Sequence, residues 1–326
     1  MTLTTRLTEQ LGITYPILSA PMAFAAGGAL AAAVSRAGGL GLVGGGYGED
    51  IWLEHQLELA GTARVGCGFI TWSLRRRPFL LDLALSRNPA AIMLSFGDPA
   101  PFAERIKDEG VLLICQVQTM EHVRAALDCG ADMIVAQGTE AGGHGAQRAT
   151  MTLVPEAADF IAGRAPATLI CAAGGIADGR GLAAALMLGA DGVLMGSRFY
   201  ASREALAHEN FKETVCKIDG DATLRTKTVD IVRGLRWPEG FTARVLHNEF
   251  VSEWHGREEA LKTSADAHAA DYFAALEDGD AKRAGVFIGE AAGLIGDTVP
   301  AATIVERTMA EAEAVLKRAA GMLDEK

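Results

Sequence analysis

Residues 168–199 read TLICAAGGIADGRGLAAALMLGADGVLMGSRF. Two short apolar runs, 168–172 (TLICA) and 192–195 (GVLM), flank an Ala- and Leu-rich stretch at 178–188. Apolar runs of this length, separated by about ten residues of helical pattern, predict a strand, a crossover helix and a second strand parallel to the first. Moving toward the N-terminus, the same unit recurs. Strands are expected near 17–20, 40–43, 65–70, 90–95, 111–116 and 132–136, with helices at 28–37, 50–60, 99–109, 119–129 and 155–163. Eight strands at this regular spacing favour a (β/α)8 TIM barrel over an open, doubly wound sheet.

Beyond Phe199 the pattern changes. Residues 203–285 are more charged and show helical rather than strand periodicity, which predicts a helical insertion, or lid, after strand 8. A final helix over 300–323 carries Ile304, Val305, Met309, Ala312, Leu316, Ala319 and Leu323 on one stripe and closes the barrel's outer ring. The expected division is therefore a barrel made of 1–202 and 286–326, interrupted by an insertion at 203–285.

Composition narrows the class of function. The chain has 38 glycines in 326 residues, against an average of roughly 7%, together with 49% hydrophobic content, which excludes disorder and collagen. Its 30 basic and 41 acidic residues leave a net charge of -11, which speaks against nucleic acid or an anionic membrane as the main partner. The N-terminus MTLTTRLTEQLGITYP lacks the apolar core of a secretory signal, and apolar stretches break before the ~20 residues that span a bilayer. Five cysteines form no CxxC pair, and Cys67, Cys115 and Cys171 fall inside expected strands, as buried thiols of a reducing, cytoplasmic protein would.

Three glycine-rich segments bear on binding. Gly39 to Gly44 spells GxGxxG, but it follows a helix and enters a strand, and Arg64 stands where a dinucleotide site needs an acidic residue. By contrast, Gly174-Gly175 follows the seventh strand and Gly196-Ser197 the eighth, the two places where barrel enzymes commonly bind phosphate through exposed amides. The phosphate would belong to a flavin mononucleotide, a nucleotide or a sugar phosphate. The third segment, Gln137-Gly138-Thr139-Glu140-Ala141-Gly142-Gly143-His144-Gly145, ends the sixth strand on the catalytic face. Its histidine, flanked by glycines, is expected to be exposed and to act as a general base or an orienting group. No clustered His or Cys spacing suggests a metal, and no GxSxG suggests a hydrolase.

These segments, with Pro16-Ile17, Ala20-Pro21-Met22 and the late GEAAGLI, resemble the nitronate monooxygenase family of FMN-dependent barrel enzymes, formerly grouped as 2-nitropropane dioxygenases. That family is related to NADH:quinone reductases and flavin-containing enoyl-ACP reductases. The resemblance implies that Ala20, Pro21 and Met22 lie along the flavin ring, with Gln137, Gly142 and Gly143 at the isoalloxazine and ribityl portion. Gly174, Gly175, Gly196 and Ser197 would hold the phosphate, and His144 would take the catalytic position. It further implies oxidation of nitronates or nitroalkanes with O2 to a carbonyl compound and nitrite. An NAD(P)H-dependent reductase of quinones or enoyl thioesters is the alternative, and a flavin-free phosphate-ligand binder or phosphosugar isomerase on the same barrel a third. A homo-oligomer is left open.

Two positions depart from the family. Gly68 stands where many members carry an Asn, and Gln116 where some carry a Lys near the flavin. An amide hydrogen-bonds but supplies no positive charge to a reduced ring. Phe69, Thr71 and Trp72 would then line a larger apolar pocket.

Overall fold

The computed structural model describes residues 3–322. Eight parallel strands close into a barrel: β1 (Ile17–Ser19), β2 (Leu40–Gly44), β3 (Gly66–Ile70), β4 (Ala91–Ser95), β5 (Leu112–Val117), β6 (Met133–Gln137), β8 (Leu169–Ala173) and β9 (Gly192–Met195). The ring shuts where Leu18 of β1 pairs with Leu194 of β9. Every strand of the sequence reading is present. One further strand, β7 (Gly143–Gly145), leaves the barrel altogether.

Side chains alternate along each strand, so one set fills the interior and the other meets the helices. Leu18, Leu40, Leu42, Met93, Ile114, Met133, Val135, Leu169, Cys171 and Leu194 form the inner cluster, joined by Leu7 and Leu11 of the N-terminal helix Arg6–Leu11. Ile17, Val43, Phe69, Ile92, Leu113, Ile134 and Val193 pack outward against the helical ring. Cys67, Cys115 and Cys171 are buried, and burial lifts the thiols of Cys67 and Cys115 to about 12, which leaves them protonated and inert.

The Gly39–Gly44 segment has a packing role. A Cβ on Gly41 would lie 1.9 Å from the carbonyl oxygen of Ala31, in the helix Gly28–Arg36 that covers β2. That contact requires backbone without a side chain, and it is made to protein rather than to a pyrophosphate.

The closing helix runs over Ala301–Ala320 and buries Ile304, Val305, Met309 and Ala312 against the helix Gly179–Met187. Leu316 is only half-buried and Ala319 is exposed, so the expected stripe runs out in the last turns; Leu323 lies outside the described residues. The expected helix 155–163 begins earlier, at Thr150, with Pro155 inside it. Its first turns are set by the Glu140 carboxylate, which accepts from the Thr150 amide at 3.0 Å. The short helices Thr71–Leu74 and Phe79–Leu85 had no periodic signal of sufficient length.

Residues 203–285 depart from the expectation of a purely helical insertion. They contain helices, the longest being Glu258–Asp278, but also β10 (Thr223–Thr226) and β11 (Thr242–Leu246). These strands pair antiparallel with each other, and β11 pairs antiparallel with β7. Both runs, TLRT and TARVL, are broken by an arginine and lack the continuous apolar stretch by which the equally short barrel strands are readable. Among the described residues no helix is long and apolar enough to cross a membrane.

Gly41→Ala is expected to destabilise the protein by about 2 kcal/mol or more through overpacking of that helix–strand contact. A lowered urea midpoint with unchanged slope is the measurement that checks it.

Candidate active site

At the carboxyl ends of the strands the barrel opens into a cleft enclosing about 1240 Å3, its open mouth included. All thirteen residues expected at the site line it: Ala20, Pro21 and Met22 after β1, Gly68 on β3, Gln116 on β5, Gln137 on β6, Gly142, Gly143 and His144 around β7, Gly174 and Gly175 after β8, and Gly196 and Ser197 after β9. Phe69 lines the cleft as well. Thr71 and Trp72 do not; Trp72 instead backs the wall, packing edge-on against Trp237 at 5.4 Å.

The glycine loops after β8 and β9 present backbone to this cleft. Gly174 and Gly175 have φ of 100° and 74°, the left-handed region that glycine adopts without strain. Among the described residues the amides of Gly175, Ile176 and Ser197 have no hydrogen-bond acceptor. A Cβ built on Gly196 would make only van der Waals contact, with the Ala20 side chain at 3.6 Å. Unpaired amides beside backbone clearance are what a phosphate requires. Glu140, the nearby carboxylate, is turned away onto Thr150, whose hydroxyl donates to it at 2.9 Å.

His144 differs from the expectation of an exposed side chain: it is only 7% exposed. The glycines beside it do not cover it, but residues distant in sequence do. The Trp237 indole stacks on the imidazole with centroids 3.4 Å apart and planes 6° from parallel, and Phe96 and Phe287 pack around its edges. Both carboxylate oxygens of Asp230 reach Nε2, at 3.0 and 2.9 Å. A carboxylate only accepts, so Nε2 carries the hydrogen and Nδ1 is left with a lone pair. Nδ1 has no hydrogen-bond partner among the described residues.

The backbone of His144 is held as firmly. It pairs with Ala243 of β11, and its carbonyl accepts from Gln137 Nε2 at 3.0 Å, while Gln118 Nε2 donates to Gln137 Oε1 at 2.9 Å. Arg225 and Arg244, from β10 and β11, both donate to the Thr139 carbonyl, at 3.1 and 3.0 Å. Two strands of the 203–285 segment thus fasten the loop that carries the histidine. Burial lowers the Arg225 pKa to about 10, which leaves it charged.

Burial also pushes the His144 imidazole below its ordinary range, against the hydrogen bond and charge of Asp230, with Arg233 and Arg225 lowering it further. The ring is therefore neutral at pH 7.

The two family departures have physical settings. A Cβ on Gly68 would lie 2.3 Å from Cγ of Pro21, so the proline ring occupies the space that an Asn side chain would need. Gln116 accepts at Oε1 from the Ser95 hydroxyl at 3.1 Å, which aims its Nε2 donors into the cleft.

A profile of the nitronate monooxygenase family matches residues 4–60 and 76–311. The chain belongs to the nitronate monooxygenase family. It is 36% identical to the nitronate monooxygenase npaC of Metarhizium robertsii, over 92% of this chain and 91% of that protein, and 31% identical to a nitronate monooxygenase of Neurospora crassa, over 93% and 90%. Among solved structures, FabK from Thermotoga maritima superposes with a TM-score of 0.87 at 31% identity, covering 99% of this chain and 100% of that one. The protein is thus an enzyme of this family on a TIM barrel.

Asp230, Arg233, Tyr47, Phe96, Trp237 and Phe287 were not among the residues singled out from sequence. Asp230 lies 86 residues from His144, and no spacing rule joins them. Its one local signal is a lone carboxylate inside the apolar run Val229, Ile231, Val232.

In Asp230→Asn the carboxylate's upward pull on the imidazole is gone, so the already low pKa of His144 falls further. NMR titration of the ring carbons is expected to show a midpoint below that of an ordinary histidine in the parent, and a lower one in the variant.

Proposed function

We propose that the enzyme oxidises alkyl nitronates with O2, using FMN, to a carbonyl compound and nitrite. The observation that carries this reading is the buried His144, its Nε2 tied to Asp230 and its Nδ1 without a partner among the described residues. The named relatives that share most of the chain's length support it.

FMN fits the residues present. Gly175, Gly196 and Ser197 would hold its phosphate, Pro21 and Met22 would lie along the ring, and Gln116 would donate to a ring acceptor. Bound there, it would supply the redox chemistry that links oxidation of the substrate to O2. The chain's own contribution is proton handling and orientation. Nδ1 of His144 accepts the proton from the carbon of a neutral nitroalkane, and Asp230 stabilises the imidazolium that results. With a substrate that is already a nitronate the base is not needed, and His144 orients it. Trp237, Phe96 and Phe287 keep water from the imidazole and raise the strength of each polar contact inside.

The FabK likeness, full-length and at 31% identity, favours a second reading, an NAD(P)H-dependent flavin reductase of quinones or enoyl thioesters. Anaerobic mixing separates them. The nitronate reading expects ethyl nitronate to bleach the flavin while NADH and NADPH do not; rapid bleaching by a nicotinamide transfers the assignment to the reductase.

His144→Ala is expected to slow oxidation of a neutral nitroalkane by ~10²–10⁴ and to affect the nitronate less. Loss of activity below the imidazole's depressed pKa is expected in the parent, because protonation removes the base; steady-state pH profiles check both.

A further inference from the structure

Arg233 lines the cleft with its side chain only 13% exposed, yet no hydrogen bond to its guanidinium is formed by any described residue. Its polar neighbours are the Asp230 carboxylate, which it faces as an ion pair at 4.0 Å, and the Tyr47 phenol. Asp230 spends both oxygens on His144. The guanidinium is held instead between two aromatic faces, 5.2 Å from the Tyr47 centroid and 5.5 Å from that of Phe287. Stacking of this kind fixes the plane of the fork while leaving its N–H donors unused. A nearly buried cation with free donors, aimed into a cavity, is matched by a planar oxyanion bound through two parallel hydrogen bonds.

We infer that Arg233 is the oxyanion-reading residue of the substrate pocket. The substrate presents a carboxylate or a nitronate to Arg233 and an apolar body to Tyr47, Phe96, Trp237 and Phe287. This inference rests on the nitronate reading for the second of those groups but not for the first. Buried apolar walls around one charged fork select an amphipathic anion and reject its neutral isostere, which leaves the guanidinium's N–H donors without an acceptor.

Calorimetry on the purified holoenzyme tests it, with benzoate as the anionic probe and benzamide as its neutral counterpart. Benzoate is expected to bind at least about ten-fold more tightly, and Arg233→Met to lose about 10–100-fold in benzoate affinity with benzamide unchanged. Should that variant not fold, Arg233→Lys, which keeps the charge and loses the fork, is expected to lose about ten-fold. Equal binding of the two probes by the parent, or benzoate binding untouched by both substitutions, overturns the inference. The KM for ethyl nitronate then separates the sources: a rise in the Arg233 variant assigns the fork to the reacting nitronate, and an unchanged KM with benzoate binding lost assigns it to a carboxylate elsewhere on the substrate. Calorimetry needs no turnover, so a protein that binds benzoate through Arg233 and oxidises no nitronate keeps this inference and loses only the nitronate reading.

Discussion

The carboxylate of Asp230 meets Nε2 of His144 at 2.9 Å from outside the barrel's own strands. The histidine belongs to β7, which emerges from the β6 loop, whereas the aspartate sits on the helix Thr228–Val232 of the 203–285 segment. This contact sets the tautomer, opposes the effect of burial on the imidazole, and joins the segment to the site. Without the segment His144 would lose its strand partner Ala243, its stacking partner Trp237 and its carboxylate together. Residues 203–285 therefore build part of the candidate site; they do more than cover it.

The barrel, for its part, supplies the backbone. Its glycines divide by physical role. Gly41 lets a helix carbonyl come closer than any side chain allows, and Gly68 makes room for the Pro21 ring. Gly174 and Gly175 turn the chain through left-handed conformations and leave amides unpaired at the cleft. The first kind holds the fold, and the last prepares a place for an anion. Backbone amides and polar side chains thus line one cleft.

The barrel strands and the cleft's glycine loops were legible because their signals are local: apolar runs of fixed length and Gly-Gly or Gly-Ser at strand ends. β10 and β11 were not, since an arginine interrupts each of TLRT and TARVL and leaves no apolar run to stand out from a charged, helical neighbourhood. The burial of His144 was misread for a related reason. Its sequence neighbours are glycines, and its covering groups, Trp237 and Phe287, lie about 90 and 140 residues away in the chain. Asp230 was invisible in the same sense, because a hydrogen bond across 86 residues leaves no spacing pattern. Local chemistry was readable; partnership made by tertiary folding was not.

Diffraction from crystals grown with FMN tests the account most directly. The phosphate is expected at the amides of Gly175 and Ser197, the isoalloxazine along Pro21 and Met22, and the His144–Asp230 pair intact with Nδ1 facing the space above the ring. A flavin whose phosphate lies elsewhere, or an imidazole turned so that Asp230 no longer meets Nε2, would contradict it.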